Sequence, residues 1–159
     1  VSERPVPADH PAARDGWAAE LLQRQVPINR KNRGRVMTRH ILTITAPAPF
    51  IRSNDHTHWR NRHQLTATWR AVAALQARRL PVFGAGPVRI TAVVHRDDKR
   101  LYDLDGIAPT VKACIDGLRD AGRLDEDNCR VIPELTIRHG EQWADAALVL
   151  VIETIEVAA

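Results

Sequence analysis

The sequence predicts an α/β protein of the α+β type: a single domain with a mixed four-stranded sheet and two principal helices, in the order strand, helix, strand, helix, strand, strand. Three observations predict it. Four segments rich in β-branched residues, "HILTITA", "VRITAVVH", "VIPELTIRH" and "ADAALVLVIETI", are bounded by Pro, Gly or polar clusters. Two others, at about residues 64–79 and 109–121, repeat apolar residues at helical spacing. The length of 159 residues suits one core, since domains most often run to roughly 100–150 residues. No internal repeat is visible.

Residues 1–36 are unlike the rest. They hold Pro5, Pro7, Pro11 and Pro27, the basic run "NRKNRGR", and one small apolar patch around Trp17, Leu21 and Leu22. Such a segment lacks the apolar surface to offset its ordering entropy, which predicts disorder with a short helix over residues 15–25. Met37 is the only methionine, and the strand pattern begins just after it. Residues 1–37 are therefore expected to be either an extension from an upstream start or a basic arm, and residues 38–156 the domain.

The first strand, residues 40–46, is closed by "PAPF", and a polar loop follows it. The helix from about Gln64 to Arg79 places Leu65, Trp69, Val72 and Leu75 on one face, and Pro81 with "FGAGP" ends it. Residues 88–95 are largely apolar, which predicts a central strand. Pro109 suits a first helical position, Val111, Ile115 and Leu118 form the buried stripe of the second helix, and Gly122 stops it. The last two strands are joined by a loop containing Gly140.

Composition narrows the function classes. The apolar fraction of 44% and charged fraction of 26% are those of a soluble globular protein. No apolar run approaches the ~20 residues of a membrane helix, and "VSERPVPADHPAARDGWAAE" has no apolar core of a secretory signal. Cys114 and Cys129 fit neither a disulfide framework nor a zinc pattern, so a reduced, cytoplasmic protein without membrane contact is expected. The net charge of +4 is split unevenly: +3 over residues 1–36, +8 over 37–100 and −7 over 101–159. A basic half beside an acidic half suits a polyanion on one surface and a cation on the other, as nucleic acid and a metal ion would supply.

The stretch "KRLYDLDGIAPTVKACIDGLRDAGRLDEDNCRV" concentrates Asp103, Asp105, Asp116, Asp120, Asp125, Glu126 and Asp127. On an extended backbone Asp103 and Asp105 would project from one face, about 6.5–7 Å apart, and could converge on a hard dication. An Asp-x-Asp pair also occurs on many solvated loops. Asp127 lies past a helix about 18–20 Å long, so the chain must return for it to join them. Pairing of the strand after residue 130 beside residues 101–105 would achieve that. Lys112 and Asp116, at i and i+4, read on spacing alone as a surface salt bridge.

The pattern "DLDG…PTVKACIDGLRDAGRLDEDNCRV" resembles the signature of RusA-type Holliday junction resolvases. "ILTITAPAPFIRSNDHTHWR" is similar to that family's first strand and Pro-rich loop, so the similarity covers roughly residues 38–155. The resemblance implies a crossover junction endodeoxyribonuclease of mostly phage or prophage origin, acting in DNA recombination and repair as a homodimer on four-way junctions. It places the Mg²⁺-binding carboxylates on Asp103, Asp105 and Asp127, with Asp125 the alternative because "DED" allows two alignments, and the catalytic lysine on Lys112. Gly106 stands where the family usually has Asn, which removes an amide that could orient the second carboxylate. Lys112 is seven residues after Asp105, as in the longer form of the motif.

For such a partner Arg52, Arg60, Arg62, Arg70, Lys99 and Arg100 are the expected phosphate contacts, with Arg78, Arg79 and Arg96 as further basic residues; such contacts raise affinity without reading sequence. His56, His58 and His63 lack the Cys or helical His partners of a metal site and read as DNA contacts or as solvated residues. Trp59 and Trp69 read as packing residues. Two other readings stay open: a DNA-binding protein without catalysis, whose acidic stretch bridges subunits, and a metal-dependent phosphohydrolase of a small molecule.

Overall fold

The computed structural model describes residues 35–156, apart from 55 and 57. The expected N-terminal disorder, the short helix over 15–25 and nearly all of the basic run lie outside the described residues. Four strands, β1 (Arg35–Thr45), β2 (Val88–His95), β3 (Glu134–His139) and β4 (Ala147–Glu156), form one sheet in the order β1-β4-β2-β3. Two helices, α1 (Trp59–Ala77) and α2 (Ala108–Asp120), and a short 3₁₀ turn (Asp105–Ile107) complete the described elements. The α+β class and the element order are those the sequence predicts.

β4 pairs antiparallel with both β1 and β2, while β3 runs parallel to β2. A parallel neighbour needs a crossover, and the turn and α2 between β2 and β3 supply it. This overturns the expected route of the chain: the strand after residue 130 pairs with β2, not with residues 101–105. β2 is central, as its apolar run predicts, and is buried at seven of its eight positions.

One sheet face carries Leu42, Ile44, Ile90, Val94, Leu148, Leu150 and Ile152, all in a core shared with Trp69, Val111, Ile115 and Leu118 of the helices. Alternation places Arg39, Arg89, Glu134 and Glu153 on the other face. There Arg39 bonds Glu153 at 2.7 Å, and Arg89 reaches Glu134 at 2.7 Å and Glu153 at 3.5 Å. One ion ladder thus crosses all four strands in register.

Both helix boundaries carry physical reasons. α1 starts five residues earlier than its apolar pattern predicts, at Trp59, where the His58 ring nitrogen accepts from the Arg60 N–H. Its buried positions are Trp69, Ala73 and Ala77, while Leu75, expected on the inner face, is 59% exposed. Small alanines let α1 approach α2 closely: a Cβ on Gly117 would come within 2.6 Å of the Arg70 carbonyl and 2.7 Å of the Ala73 Cβ. α2 matches its stripe, with Val111, Ile115 and Leu118 buried. Gly122, at φ +67°, ends it: its N–H reaches the Arg119 carbonyl and the Arg123 N–H reaches that of Leu118. This 6→1 and 5→2 pair is the left-handed glycine stop that "DAG" predicts.

Candidate nucleic-acid and metal site

Local turns decide where the acidic residues go. Asp105 does not continue an extended strand but opens the 3₁₀ turn that runs directly into α2. Asp103 and Asp105 are therefore not alternate residues of one strand face, as the sequence suggested, because Leu104 already has helical dihedrals. The Gly106 and Ile107 N–H groups bond back to the Asp103 and Leu104 carbonyls, tightening the turn. Gly106 is buried, and a Cβ there would make only ordinary contact, 3.8 Å from that of Asp103.

Along α2, at about 100° per residue, Lys112, Asp116 and Arg119 lie on one face, away from the buried stripe. The loop after Gly122 then returns toward this face. It is held by a parallel bridge between Gly84 and Leu124 and by the Asp125 N–H on the Gly84 carbonyl at 3.0 Å. Asp127 thereby reaches Lys112, whose ammonium donates to both Asp116 and Asp127. Arg119 adds a second cation to Asp127 at 3.3 Å and reaches Glu126 at 3.5 Å. The Lys112–Asp116 pair that spacing suggested is present, but it is one half of a bridge to a residue fifteen positions on.

The electrostatics follow. Burial alone would lower the Lys112 pKa, but its hydrogen bonds to Asp116 and Asp127 outweigh that and raise it. Asp127 is held below the usual carboxylate range, first by the Lys112 hydrogen bond and then by the charges of Lys112 and Arg119. Much of the repulsion among these acids is relieved by the protein's own cations. Among the described residues no group of three or more His, Cys, Asp or Glu side chains stands together as a metal cage. The carboxylates of Asp103, Asp105 and Asp127 are chemically suited to a hard dication. For Asp127 to serve one, it must exchange its ammonium partner for the metal. Asp125, the alternative third ligand, is exposed and has no ion pair with Lys112 to join it to this face.

The loop that carries the first of the basic residues is fixed by contacts with α2 and the turn before it. The loop after β1 is clamped onto the start of α2. The Ile51 N–H donates to the Thr110 hydroxyl at 2.7 Å, which donates to the Ile51 carbonyl at 3.0 Å. The Ser53 N–H reaches the Gly106 carbonyl at 2.9 Å. Phe50 stacks on Trp69 at 5.3 Å, and the Trp69 indole N–H donates to the Pro49 carbonyl. Arg52 follows directly from this clamp and lines a cleft of about 560 Å³ with Pro47, Pro49 and Asp97. A second cleft, of about 360 Å³, is walled by Lys99, Arg100, Tyr102, Leu104 and His139, on either side of Asp103 in the chain.

Arg96 borders both clefts but is itself buried. Its Nη2 donates to both Asp98 carboxylate oxygens at 3.0 Å, and its guanidinium lies 5.1 Å from the Tyr102 ring centre. It organises the cleft walls rather than standing free for phosphate. Arg70 is likewise engaged, with both a 2.5 Å and a 2.7 Å bond to Asp120 that tie α1 to α2. Arg60 lies over the ring of Trp59, and Arg62 is half-buried on α1. Trp69 is fully buried, as expected, whereas Trp59 is 67% exposed and does not pack into the core. Sequence reasoning missed Arg119; its place seven residues after Lys112, on the same helical face, was the available signal.

Neither the family models nor the curated proteins contain a match to this chain. Among solved structures, the chain is similar to the hydrogenase maturation protein HypE in complex with ATP, at 15% sequence identity and a TM-score of 0.36. That similarity covers 88% of this chain and 40% of that one. A likeness of this size carries no functional argument. Among the described residues no helix is long and apolar enough to cross a membrane.

Proposed function

We propose that this chain is a Mg²⁺-dependent endodeoxyribonuclease that resolves four-way DNA junctions by paired nicks, working as a cytoplasmic homodimer in DNA recombination and repair. The observation that carries this reading is the contact of Lys112 with Asp127 on the α2 face that Asp105 leads into. It joins the helical lysine and the "LDED" segment, two parts of the motif that resembles RusA-type resolvases, across fifteen positions of sequence.

Asp103, Asp105 and Asp127 would hold the metal, which when bound supplies Lewis-acid charge and an activated water. Lys112, kept protonated by its two carboxylate neighbours, offsets the negative charge that builds on the phosphate. Arg52, Arg62, Lys99 and Arg100 take the flanking phosphates and fix the register of the backbone. A two-fold dimer would present two such sites to a two-fold substrate, so that opposing strands are cut alike.

One observation favours a second reading, a structure-specific DNA-binding protein without catalysis. Asp127 is satisfied by two cations of its own chain, so its charge is compensated by Lys112 and Arg119. A labelled four-way junction, compared with a linear duplex with and without Mg²⁺, separates the two. The nuclease reading expects Mg²⁺-dependent cuts in the junction, and Asp105→Asn that binds like the parent but does not cut. Tight binding by a parent that never cuts would favour the second reading; hydrolysis confined to nucleotides would point to a small-molecule phosphohydrolase.

A further inference from the structure

The geometry points to Trp59 as a stacking platform for an unpaired base at the branch point, an inference that rests on the junction reading above. Trp59 opens α1 and leaves 67% of its surface in solvent, although tryptophan is among the side chains that gain most from burial. Its neighbours are cationic or aromatic. The Arg60 guanidinium carbon lies 5.3 Å from the ring centre, and the His58 ring lies 5.8 Å away on a tilted plane. The first turn of α1 carries no acid. In sequence, residues 52–63 include Arg52, Arg60, Arg62 and three histidines but a single acid, Asp55.

An aromatic face bordered by cations suits a polyanion that also offers flat rings, which is nucleic acid rather than an acidic protein surface. The kind of nucleic acid follows from stacking. In an intact duplex every base face is covered by its neighbours, so an exposed ring finds a partner only where stacking is interrupted. A branch point, a nick or an unpaired stretch supplies that. The platform also follows closely, along the chain, a residue bonded to the proposed site. Six residues before it, the Ser53 N–H is bonded to the Gly106 carbonyl in the turn that Asp105 opens. A base captured by Trp59 would give preference for branched DNA without reading sequence.

The test is binding by fluorescence anisotropy in EDTA, so that no DNA is cut, using a labelled four-way junction and a linear duplex of the same sequence. Trp59→Ala is expected to weaken junction binding about tenfold, the scale of one lost base stack, while duplex binding changes less than about twofold. Trp59→Phe, which keeps a ring, is expected to stay within about threefold of the parent. 2-Aminopurine placed at the branch should change its emission with the parent and not with Trp59→Ala. Equal loss on junction and duplex, no loss on either, or polyglutamate competing away the Trp59-dependent part of binding would each overturn the platform. The failures are separable: a parent that binds junctions through Trp59 without cutting sinks the nuclease reading alone. A Trp59→Ala variant that binds and cuts like the parent sinks the platform alone.

Discussion

The two helices lie against each other, yet they use their residues in different ways. α2 buries seven of its thirteen residues, α1 only three of nineteen. The inner side of α2 is set in the core by Val111, Cys114, Ile115 and Leu118, and burial pushes the Cys114 thiol up to about 12. With that side fixed, its outer side can hold Lys112, Asp116 and Arg119 in defined positions. α1 is fixed at Trp69, Ala73 and Ala77 and offers most of its remaining length, including Trp59 and Arg60, to solvent. The contrast is one of division of labour: α2 sets geometry, and α1 presents surface.

This comparison can be broken by mutation, beginning with the strongest effect. Trp69 is the one large side chain of α1 that is fully buried, so Trp69→Ala is expected to cost about 3–5 kcal/mol in urea or thermal unfolding. A loss below 1 kcal/mol would mean that α1 is held by something else. Gly117→Ala places a methyl group against the α1 backbone and is expected to destabilise by about 1–3 kcal/mol. Unchanged stability there would show that the two helices separate easily.

Smaller effects sharpen the outer face. The depressed pKa of Asp127 contributes stability that is present above its unfolded value, ~3.9, and lost as pH falls through the folded value. The raised pKa of Lys112 contributes below ~10.4 and is lost as pH rises through its own folded value. The stability gap between the parent and Asp127→Asn should therefore be flat near neutrality and close in acid. It should not exceed about 1 kcal/mol, since the pair is partly exposed and screened. Thermal melts from pH 3 to pH 8 test it, and a gap that widens in acid contradicts it. Smallest of all, Leu75→Ala should change stability by less than about 0.5 kcal/mol, because that leucine lies on the presenting side.

Sequence pattern revealed what local periodicity controls. The Val111, Ile115 and Leu118 stripe, the Gly122 stop and the central position of residues 88–95 all follow from spacing and chain stereochemistry. The start of α1 was missed because its first five residues bear no apolar periodicity to mark them. Leu75 was misplaced because Ala73 and Ala77, silent in an apolar pattern, carry the contact that sets the helix rotation. The route of Asp127 back to α2 depends on β3 pairing with β2 and on the Gly84–Leu124 bridge, both long-range contacts that no spacing encodes. The residue types of the candidate site and its local Lys112–Asp116 pair were therefore readable, while its long-range ion pairs were not. Arg70 and Arg96, which look like free phosphate contacts in the sequence, are paired to Asp120 and Asp98.

The central proposal is that carboxylates on either side of α2 act as one site. Junction cleavage with Mg²⁺ titrated from micromolar to millimolar, on the parent and on Asp103→Asn, Asp105→Asn and Asp127→Asn, tests it most directly. All three variants should lose cutting while retaining junction binding and the parent's fold. An Asp127→Asn variant that cuts at the parent's rate while Asp105→Asn is dead would contradict it, because the two segments would then work apart.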